Sequence, residues 1–206
     1  MTWGRGALDL GRGGASKHVP VNHSQTESSE LLQAAMTGDL RARRTLYGQY
    51  YGYAMGVCLR YAKHRHEAEE IVNDGFLKVF DHLERCKNPA AFKGWLRRIM
   101  VNAAIDYYRR YKKFRQEVSE TDTPDLPSSE EVMAQLSAED LLRLVQALPD
   151  AYRLVFNLYA IEGYSHEEIA AQTGIAASTS RANLTKARAR LRQMLAQQEE
   201  SQGYER

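Results

Sequence analysis

The 206-residue sequence has little of what disulfide-rich, metal-binding or membrane proteins require. It contains two cysteines, Cys58 and Cys86, without the C-x-x-C spacing typical of metal or redox sites. No apolar run approaches the roughly 18 to 20 residues of a membrane span. The first 30 residues are rich in glycine and serine and lack the apolar stretch of a secretory signal. We therefore expect a cytoplasmic protein without membrane insertion and with a flexible tail over residues 1–30.

Recognisable catalytic motifs are also missing. Histidine adjoins glutamate around His64 and His66 and again at His166, but neither segment has the H-E-x-x-H spacing of zinc enzymes. The sequence has no G-x-x-x-x-G-K-[ST] phosphate loop and no nucleophile elbow. We expect a protein that is not an enzyme and that needs neither a metal nor a cofactor.

The strict alternation of apolar and polar residues that marks strands is scarce. Most apolar residues recur instead at intervals of three and four, which is typical of amphipathic helices. This pattern runs over residues 31–36, 46–61, 72–83 and 92–107, with breaks at Gly38-Asp39 and around Pro89. The sequence predicts an all-helical protein.

The formal net charge of +2 conceals segments of very different sign. Residues 31–113 carry 16 basic and 8 acidic side chains, residues 114–140 carry 1 and 8, and residues 141–206 carry 8 and 7. The acidic segment contains two prolines and no apolar stripe, which predicts a linker over residues 114–136. Basic modules on either side of it indicate a polyanionic partner, although solvated charged faces would give the same totals.

Helix-start signals mark a second module over residues 137–197. Ser137 is followed at the third position by Asp140, and Ser165 by Glu168, which is the capping-box spacing. Pro149 separates two apolar stripes, and a glycine at 163 predicts the end of the second stripe. We predict four helices here.

The last two of these helices have the form of a helix-turn-helix. A short helix runs over about 165–172, Gly174 lies in the turn, and Ser178 is the expected cap of a longer helix. The core stripe of the longer helix is Leu184, Ala187, Leu191 and Leu195. Residues 178–194 carry five basic side chains and no acidic one. A basic helix of this kind fits the DNA major groove, where arginine donates to guanine and asparagine pairs with adenine; a solvated basic helix is the alternative.

The first module carries a family resemblance. The segments LLQAAMTGDLRARRTLYGQYY, AEEIVNDGFLKVF and AFKGWLRRIMVNAAIDYYRRYKK resemble, in that order, the helices of domain 2 of bacterial sigma factors, above all those of the extracytoplasmic-function (ECF) type. The second module resembles their domain 4. The resemblance covers residues 31–196 and implies two small helical domains, at 31–113 and 137–197, joined by the acidic flexible linker and followed by a tail at 198–206.

The resemblance implies a sigma factor that associates with core RNA polymerase, recognises the −10 and −35 promoter elements, and promotes promoter melting and transcription initiation. Its partners would be promoter DNA, the coiled coil and flap of the polymerase, and an anti-sigma factor. The second segment would dock on the coiled coil of the largest subunit through a polar face, for which a solvated face is the alternative. The expected polymerase contacts are Glu70, Asn73, Asp74 and Lys78.

The DNA contacts implied by the resemblance lie on two helices. The third segment combines seven basic residues with aromatic ones over 93–113, which suits melted DNA. Phe92 and Trp95 fall on its apolar stripe and are interpreted as core. The expected −10 contacts are Lys93, Arg98, Asn102, Arg109, Arg110 and Lys112. The expected −35 contacts are Ser178, Thr179, Arg181, Asn183, Thr185, Lys186 and Arg188.

Two residues depart from the family pattern. Arg43 stands where a large apolar side chain is usual, and Gly75 weakens its helix by roughly 1 kcal/mol relative to alanine. A stand-alone helix-turn-helix transcription regulator remains the competing hypothesis, because the second module alone would suffice for it. That hypothesis leaves the first module unexplained.

Overall fold

The structure is a computed structural model that describes residues 23–86, 88–115 and 137–203. The predicted linker over 114–136 lies almost entirely outside the described residues, as do residues 1–22 of the predicted tail and residues 204–206. Within the described ranges the secondary structure is helical and contains no strand. This confirms the all-helical prediction.

Eight α-helices are present in the described residues, four in each module. The short 3₁₀ turns Leu83–Arg85 and Pro89–Ala91 connect the third helix to the fourth, and the sixth helix continues as the π-turn Asn157–Ile161. The helices are α1 (His23–Met36), α2 (Leu40–Cys58), α3 (Arg65–Asp81), α4 (Phe92–Arg115), α5 (Ala138–Gln146), α6 (Asp150–Phe156), α7 (His166–Thr173) and α8 (Ala177–Gly203). Because α1 begins at His23, residues 23–30 belong to a helix and not to the predicted tail.

The break between α1 and α2 follows from local backbone chemistry. Gly38 adopts a φ of +92°, in the left-handed region that favours glycine. Asp39 caps α2, because its carboxylate accepts hydrogen bonds from the backbone N–H groups of Arg41 at 2.7 Å and Ala42 at 3.0 Å. The Gly38-Asp39 pair therefore ends one helix and begins the next, as the sequence predicted.

Capping chemistry also sets the helix-turn-helix. Ser165 and Glu168 form the reciprocal capping box at the start of α7, and Gly174 takes a φ of +73° at its end. The sequence predicted both features. The predicted cap of the longer helix is wrong, because α8 begins at Ala177 and Ser178 is already its second residue.

The core of the first module lies between α3 and α4. The predicted stripe of Val72, Phe76, Val79 and Leu83 is at most 2% exposed, and Leu96, Met100 and Ala103 of α4 are at most 1% exposed. Gly75 is buried on the same side of α3. A Cβ atom placed on it would lie 2.5 Å from the Met100 sulfur and 2.8 Å from the Met100 methyl carbon. The glycine that seemed a weakness of the helix therefore leaves room for the end of the Met100 side chain against α3.

Arg43, the other departure from the family pattern, links the end of α1 to the Phe80 ring. Its Nε donates to the carbonyl oxygen of Ala35 at 3.0 Å, near the end of α1, and its guanidinium lies 5.5 Å from the centre of the Phe80 ring. An arginine stem can cover apolar surface while its head group satisfies a helix end. The polar residue is therefore compatible with the fold.

The second module packs directly on the first. Leu154, Val155 and Leu158 belong to the same continuous apolar core as α2, α3 and α4. A smaller cluster of Leu148, Tyr152 and Ala187 joins α6 to α8. The junction places α7 against α4, so the two basic helices α4 and α8 are parts of one packed body.

The position of Gly75 against Met100 predicts that Gly75→Ala changes the free energy of unfolding in opposite directions with and without the Met100 side chain. In the natural chain we expect Gly75→Ala to lower the free energy of unfolding by about 1 kcal/mol, because the clash with Met100 exceeds the gain in helix propensity. With Met100 replaced by alanine, the same change should raise it by about 1 kcal/mol. Urea denaturation of the four proteins of this double-mutant cycle measures both effects. An effect of the same sign in both backgrounds would contradict the packing argument.

Candidate polymerase and DNA interfaces

The outer face of α3 carries the predicted polymerase contacts. Asn73 is exposed, while Glu70 and Asp74 are half-buried on the same side of the helix. Tyr47 of α2 donates from its hydroxyl group to the side-chain oxygen of Asn73 at 3.2 Å, and His66 lies 3.4 Å from Glu70. Residues 70, 73 and 74 therefore form one polar strip that is accessible to a protein partner.

Two ion pairs join this strip to α4. The Lys78 ammonium group donates to the Asp106 carboxylate at 2.6 Å, and the Arg110 guanidinium donates to the Asp74 carboxylate. The hydrogen bond to Asp74 raises the pKa of Arg110 above its ordinary value. All four side chains are between 38% and 58% exposed, so the pairs contribute little to stability by themselves. They do connect the predicted polymerase face to the predicted DNA helix.

An exposed leucine lies in the same strip, and sequence reasoning missed it. Leu77 of α3 is 65% exposed and follows Asn73 by four residues and Asp74 by three, so it shares their side of the helix. The spacing was available in the sequence, but only polar residues were assigned to this face of α3. Single exposed leucines are common on protein surfaces, so the exposure of Leu77 does not by itself identify a contact.

The predicted −10 contacts on α4 do not share one face. Arg98, Asn102 and Arg109 are exposed, and at about 100° per residue they fall within roughly 40° of one another around the helix. Lys93 lies roughly 140° to 180° away from them by the same count, with its ammonium group 4.7 Å from the centre of the Tyr53 ring. Arg110 turns toward α3, and the side chain of Lys112 lies outside the described residues. We name the contiguous group of Arg98, Asn102 and Arg109 the α4 strip.

The aromatic residues at the start of α4 serve the core. Phe92 is 1% exposed and packs edge-on against Tyr50 of α2, with ring centres 4.8 Å apart. Trp95 is half-buried beside it, with ring centres 5.9 Å apart. Arg97 directly precedes Arg98 of the α4 strip in the sequence, yet its guanidinium binds Glu162 of the second module. No local sequence signal indicates this contact, because the two residues are 65 positions apart.

The basic helix α8 exposes most of its predicted DNA contacts. Ser178, Thr179, Arg181, Thr185 and Arg188 are exposed. The exceptions are Lys186, which is half-buried with its ammonium group 5.9 Å from the centre of a tyrosine ring, and Asn183, which is 8% exposed. The structure therefore does not place Asn183 on the surface of this helix. We name the group of Arg181, Thr185 and Arg188 the α8 strip.

Both arginines of the α8 strip contact residues of the second module. Arg181 donates to the Glu167 carboxylate of α7 at 3.2 Å, and Arg188 lies 5.9 Å from the centre of the Tyr159 ring. The pKa of Glu167 is lowered by a backbone hydrogen bond and by Arg181. Arg181 and Glu167 are more than half exposed, so a phosphate or base can replace the carboxylate at small cost.

Two of the histidines next to glutamates make contacts that support the fold. His64 caps α3, because its Nδ1 accepts from the backbone N–H of Glu67 at 3.3 Å. His166 lies 2.9 Å from the Ser180 hydroxyl and stacks on Tyr159 with ring centres 4.5 Å apart. In the described part of the chain, no three histidine, cysteine or acidic side chains are grouped to hold a metal ion, and none of its helices is long and apolar enough to cross a membrane.

Comparisons with known proteins identify the two modules. Residues 46–114 match the family model described as Sigma-70 region 2, and residues 138–191 match Sigma-70, region 4. RNA polymerase sigma factor SigV of Bacillus subtilis is 31% identical over 127 residues, which cover 62% of this chain and 75% of SigV. ECF RNA polymerase sigma factor SigE of Mycolicibacterium smegmatis is 30% identical over 168 residues, which cover 78% of this chain and 65% of SigE.

Among solved structures, the sigma factor RpoE of Bartonella quintana in complex with the anti-sigma factor NepR is similar to 85% of this chain. The alignment covers 98% of the solved chain at 20% identity, with a TM-score of 0.44. Both family modules are present in the expected order, and the similarity to curated sigma factors extends over most of the sequence. The chain therefore belongs to the sigma-70 family and is a sigma factor of the extracytoplasmic-function type.

Proposed function

We propose that this sigma factor divides its tasks among three helix surfaces: the outer face of α3 binds core RNA polymerase, the α4 strip binds the −10 element, and the α8 strip binds the −35 element. The observation that carries the proposal is the exposure of basic strips on one helix of each family module. Family membership adds an anti-sigma partner and a cytoplasmic location, since bacterial core polymerase is cytoplasmic.

The α4 strip suits a single strand of DNA. Two guanidinium groups flank an amide along one line, so cations can hold phosphates while Asn102 offers a donor and an acceptor to an unpaired base. Trp95 lies half-buried at one end of the line and provides a flat apolar edge. These groups match what a melted promoter segment presents, namely phosphates and unstacked bases.

The salt dependence of promoter binding tests whether the α4 strip, and not the opposite side of α4, contacts phosphates. Because each phosphate contact releases counterions, Arg98→Ala and Arg109→Ala should each reduce the slope of log affinity against log salt by roughly 0.7 to 1. Holoenzyme binding to a promoter fragment with a melted −10 region, titrated with salt, measures the slope. Lys93→Ala is the matched comparison, since it removes the same charge from the opposite side of α4. An equal change for Lys93 would contradict the strip.

The α3 face suits a protein partner because it combines an apolar centre with a polar rim. Leu77 supplies apolar area, while Asn73, Asp74 and Glu70 supply hydrogen-bonding groups around it. Binding energy at protein interfaces concentrates in a few central side chains that lose all contact with water. We therefore assign Leu77 to the centre of the polymerase contact.

Truncation of Leu77 tests that assignment. Leu77→Ala should weaken the binding of core polymerase roughly 5-fold to 30-fold, the loss of about 1 to 2 kcal/mol expected when a central apolar contact is removed. The measurement is fluorescence titration of labelled sigma factor with core enzyme. Leu40→Ala is the matched control, because Leu40 is 79% exposed at the start of α2 and lies outside the α3 face. Equal affinities for the two variants would contradict the assignment.

The α8 strip suits duplex DNA. Arg181 and Arg188 lie two helical turns apart on one side, with Thr185 between them, and a helix of this width fits the major groove. Ser178 and Thr179 sit in the first turn, where hydroxyl and backbone N–H groups contact phosphates readily. Lys186 lies roughly 100° to 160° around α8 from the three residues of the strip, with its ammonium group against the Tyr152 ring, so we assign it to a phosphate and not to a base.

Replacing Arg181 and Lys186 by alanine should weaken recognition of the −35 element and leave the binding of core polymerase unchanged. We expect a loss of about 1 to 3 kcal/mol if Arg181 contacts guanine, read as a matching fall in run-off transcription from a promoter that requires its −35 sequence. Arg190→Ala is the control, because Arg190 lies about 180° around α8 from Arg181 and bonds to Gln193. Unchanged promoter selection by the double variant would contradict the proposal.

The general function is tested by mapping start sites. Core polymerase with this protein should initiate at a defined set of sites on genomic DNA, and core polymerase alone should not. Tight, sequence-specific binding of duplex DNA by the isolated protein, without added activity from core polymerase, would favour the stand-alone regulator. The match of residues 46–114 to region 2 disfavours that regulator, because it has no use for such a module.

A further inference from the structure

Two side-chain contacts, one residue apart, join the start of α7 to α8. The Nδ1 atom of His166 lies 2.9 Å from the hydroxyl oxygen of Ser180, which is 0% exposed. At the next position of both helices, Nη1 of Arg181 donates to Oε1 of Glu167 at 3.2 Å. The buried contact fixes the start of α7 against the first turns of α8. The exposed pair beside it therefore keeps its spacing.

Arg181 is the cation of the α8 strip that lies nearer to the start of the helix. It is the fifth residue of α8, whereas Arg188 follows about two turns later. In helix-turn-helix proteins, the first residues of the second helix contact the edges of bases. Arg181 is therefore the arginine of the strip that is better placed to contact a base.

The bond to Glu167 leaves Arg181 able to recognise guanine. A guanidinium group has five N–H donors, and the bond from Nη1 uses one of them. The Nε and Nη2 atoms form a separate edge with two donors, and Arg97 uses this same edge to bind the carboxylate of Glu162. Such an edge matches the O6 and N7 acceptors of guanine in the major groove. Arg181 can therefore donate to Glu167 and to a guanine at the same time.

The Glu167 carboxylate disfavours the other partner that DNA offers to Arg181, a phosphate. The first helix of a helix-turn-helix crosses the DNA backbone, so a charge at the start of α7 lies near phosphates. A hydrogen bond from its own backbone N–H and the bond from Arg181 lower the pKa of Glu167, which is therefore ionised at neutral pH. A phosphate that approaches Arg181 meets this like charge, even after the ion pair breaks, whereas a guanine is neutral.

We propose that Glu167 is a positioning residue that sets the base specificity of the α8 strip: its carboxylate directs Arg181 to a guanine of the −35 element and opposes the binding of Arg181 to phosphates. The proposal rests on the proposed function, because it takes the −35 element as the ligand of α8. Without the carboxylate, Arg181 turns to the nearest phosphate. Binding to unrelated sequences then becomes tighter, and the preference for guanine is lost.

The test begins with a selection that identifies the guanine. Holoenzyme assembled with the full-length chain is incubated with promoter fragments whose −35 region is randomised, and the bound fragments are sequenced. The same selection with Arg181→Ala shows which guanine is preferred only when Arg181 is present. Two fragments that differ in this position alone, with guanine or adenine, are then compared. The specificity ratio is the affinity for the guanine fragment divided by the affinity for the adenine fragment.

Glu167→Gln should lower the specificity ratio roughly fivefold or more, the lower end of the discrimination that a two-donor contact to guanine provides. On the adenine fragment it should steepen the slope of log affinity against log salt by about 0.9, the value for one added phosphate contact. Glu168→Gln is the matched control, because it removes the same charge from the next residue. Glu168 accepts from the backbone N–H of Ser165 at 2.8 Å, and glutamine also serves in a capping box. The control should leave the ratio unchanged.

A double-mutant cycle shows whether Glu167 acts through Arg181. In a chain that already carries Arg181→Ala, the further change Glu167→Gln should leave the specificity ratio where it is, because the group that the carboxylate directs is gone. A defect in folding or a general effect of charge would persist in that background. Glu167 is exposed, and glutamine keeps the size of its side chain, so we expect the helix content of the variant to equal that of the natural chain.

An unchanged ratio in Glu167→Gln would overturn the role of Glu167. An equal loss in Glu168→Gln would do the same, as would a loss that persists without Arg181. A selection in which Arg181→Ala alters the preference for no guanine would also overturn it, because Arg181 would then contact no base. If the natural chain prefers no sequence in the randomised region, the assignment of α8 to the −35 element fails, and the role of Glu167 fails with it. The selection therefore judges the proposed function, and the ratios judge Glu167.

Discussion

The close contact of α3 with α4 is the constraint on which the functional surfaces depend. The absence of a side chain at Gly75 leaves the space that the end of the Met100 side chain fills. Fixing these two helices fixes the directions of their outer faces, so the proposed polymerase surface and the proposed −10 surface are two sides of one packed unit. The ion pairs of Asp74 and Lys78 with α4 lie on its rim.

The contact between the two modules differs from the packing inside each module. Inside each module, apolar residues meet apolar residues, and the contact is permanent. Between the modules, helix-end carbonyls and one carboxylate receive donors across the gap, and each of these groups has water as an alternative partner. The apolar contacts of Leu154, Val155 and Leu158 with the core of the first module lie beside these bonds.

The sequence predicted the features that depend on local chemistry. Helix starts at Asp39, Ser137 and Ser165, the buried stripe of α3 and the turn at Gly174 follow from spacing within about ten residues, and the structure has them all. What depends on neighbours distant in the chain could not be predicted. The burial of Asn183 and the pairing of Arg97 with Glu162 are set by packing that no short window contains. Leu77 is an intermediate case, since its spacing was visible but its exposure was not.

The length of the α4 strip can be compared with the spacing of nucleotides along a single strand. Arg98 and Arg109 are 11 positions apart on one unbroken helix, which corresponds to roughly 16 Å at 1.5 Å per residue. Stacked nucleotides advance about 3.4 Å each along a strand. The strip is therefore as long as about five stacked nucleotides, which under the proposed function is the length of single strand that it contacts at once.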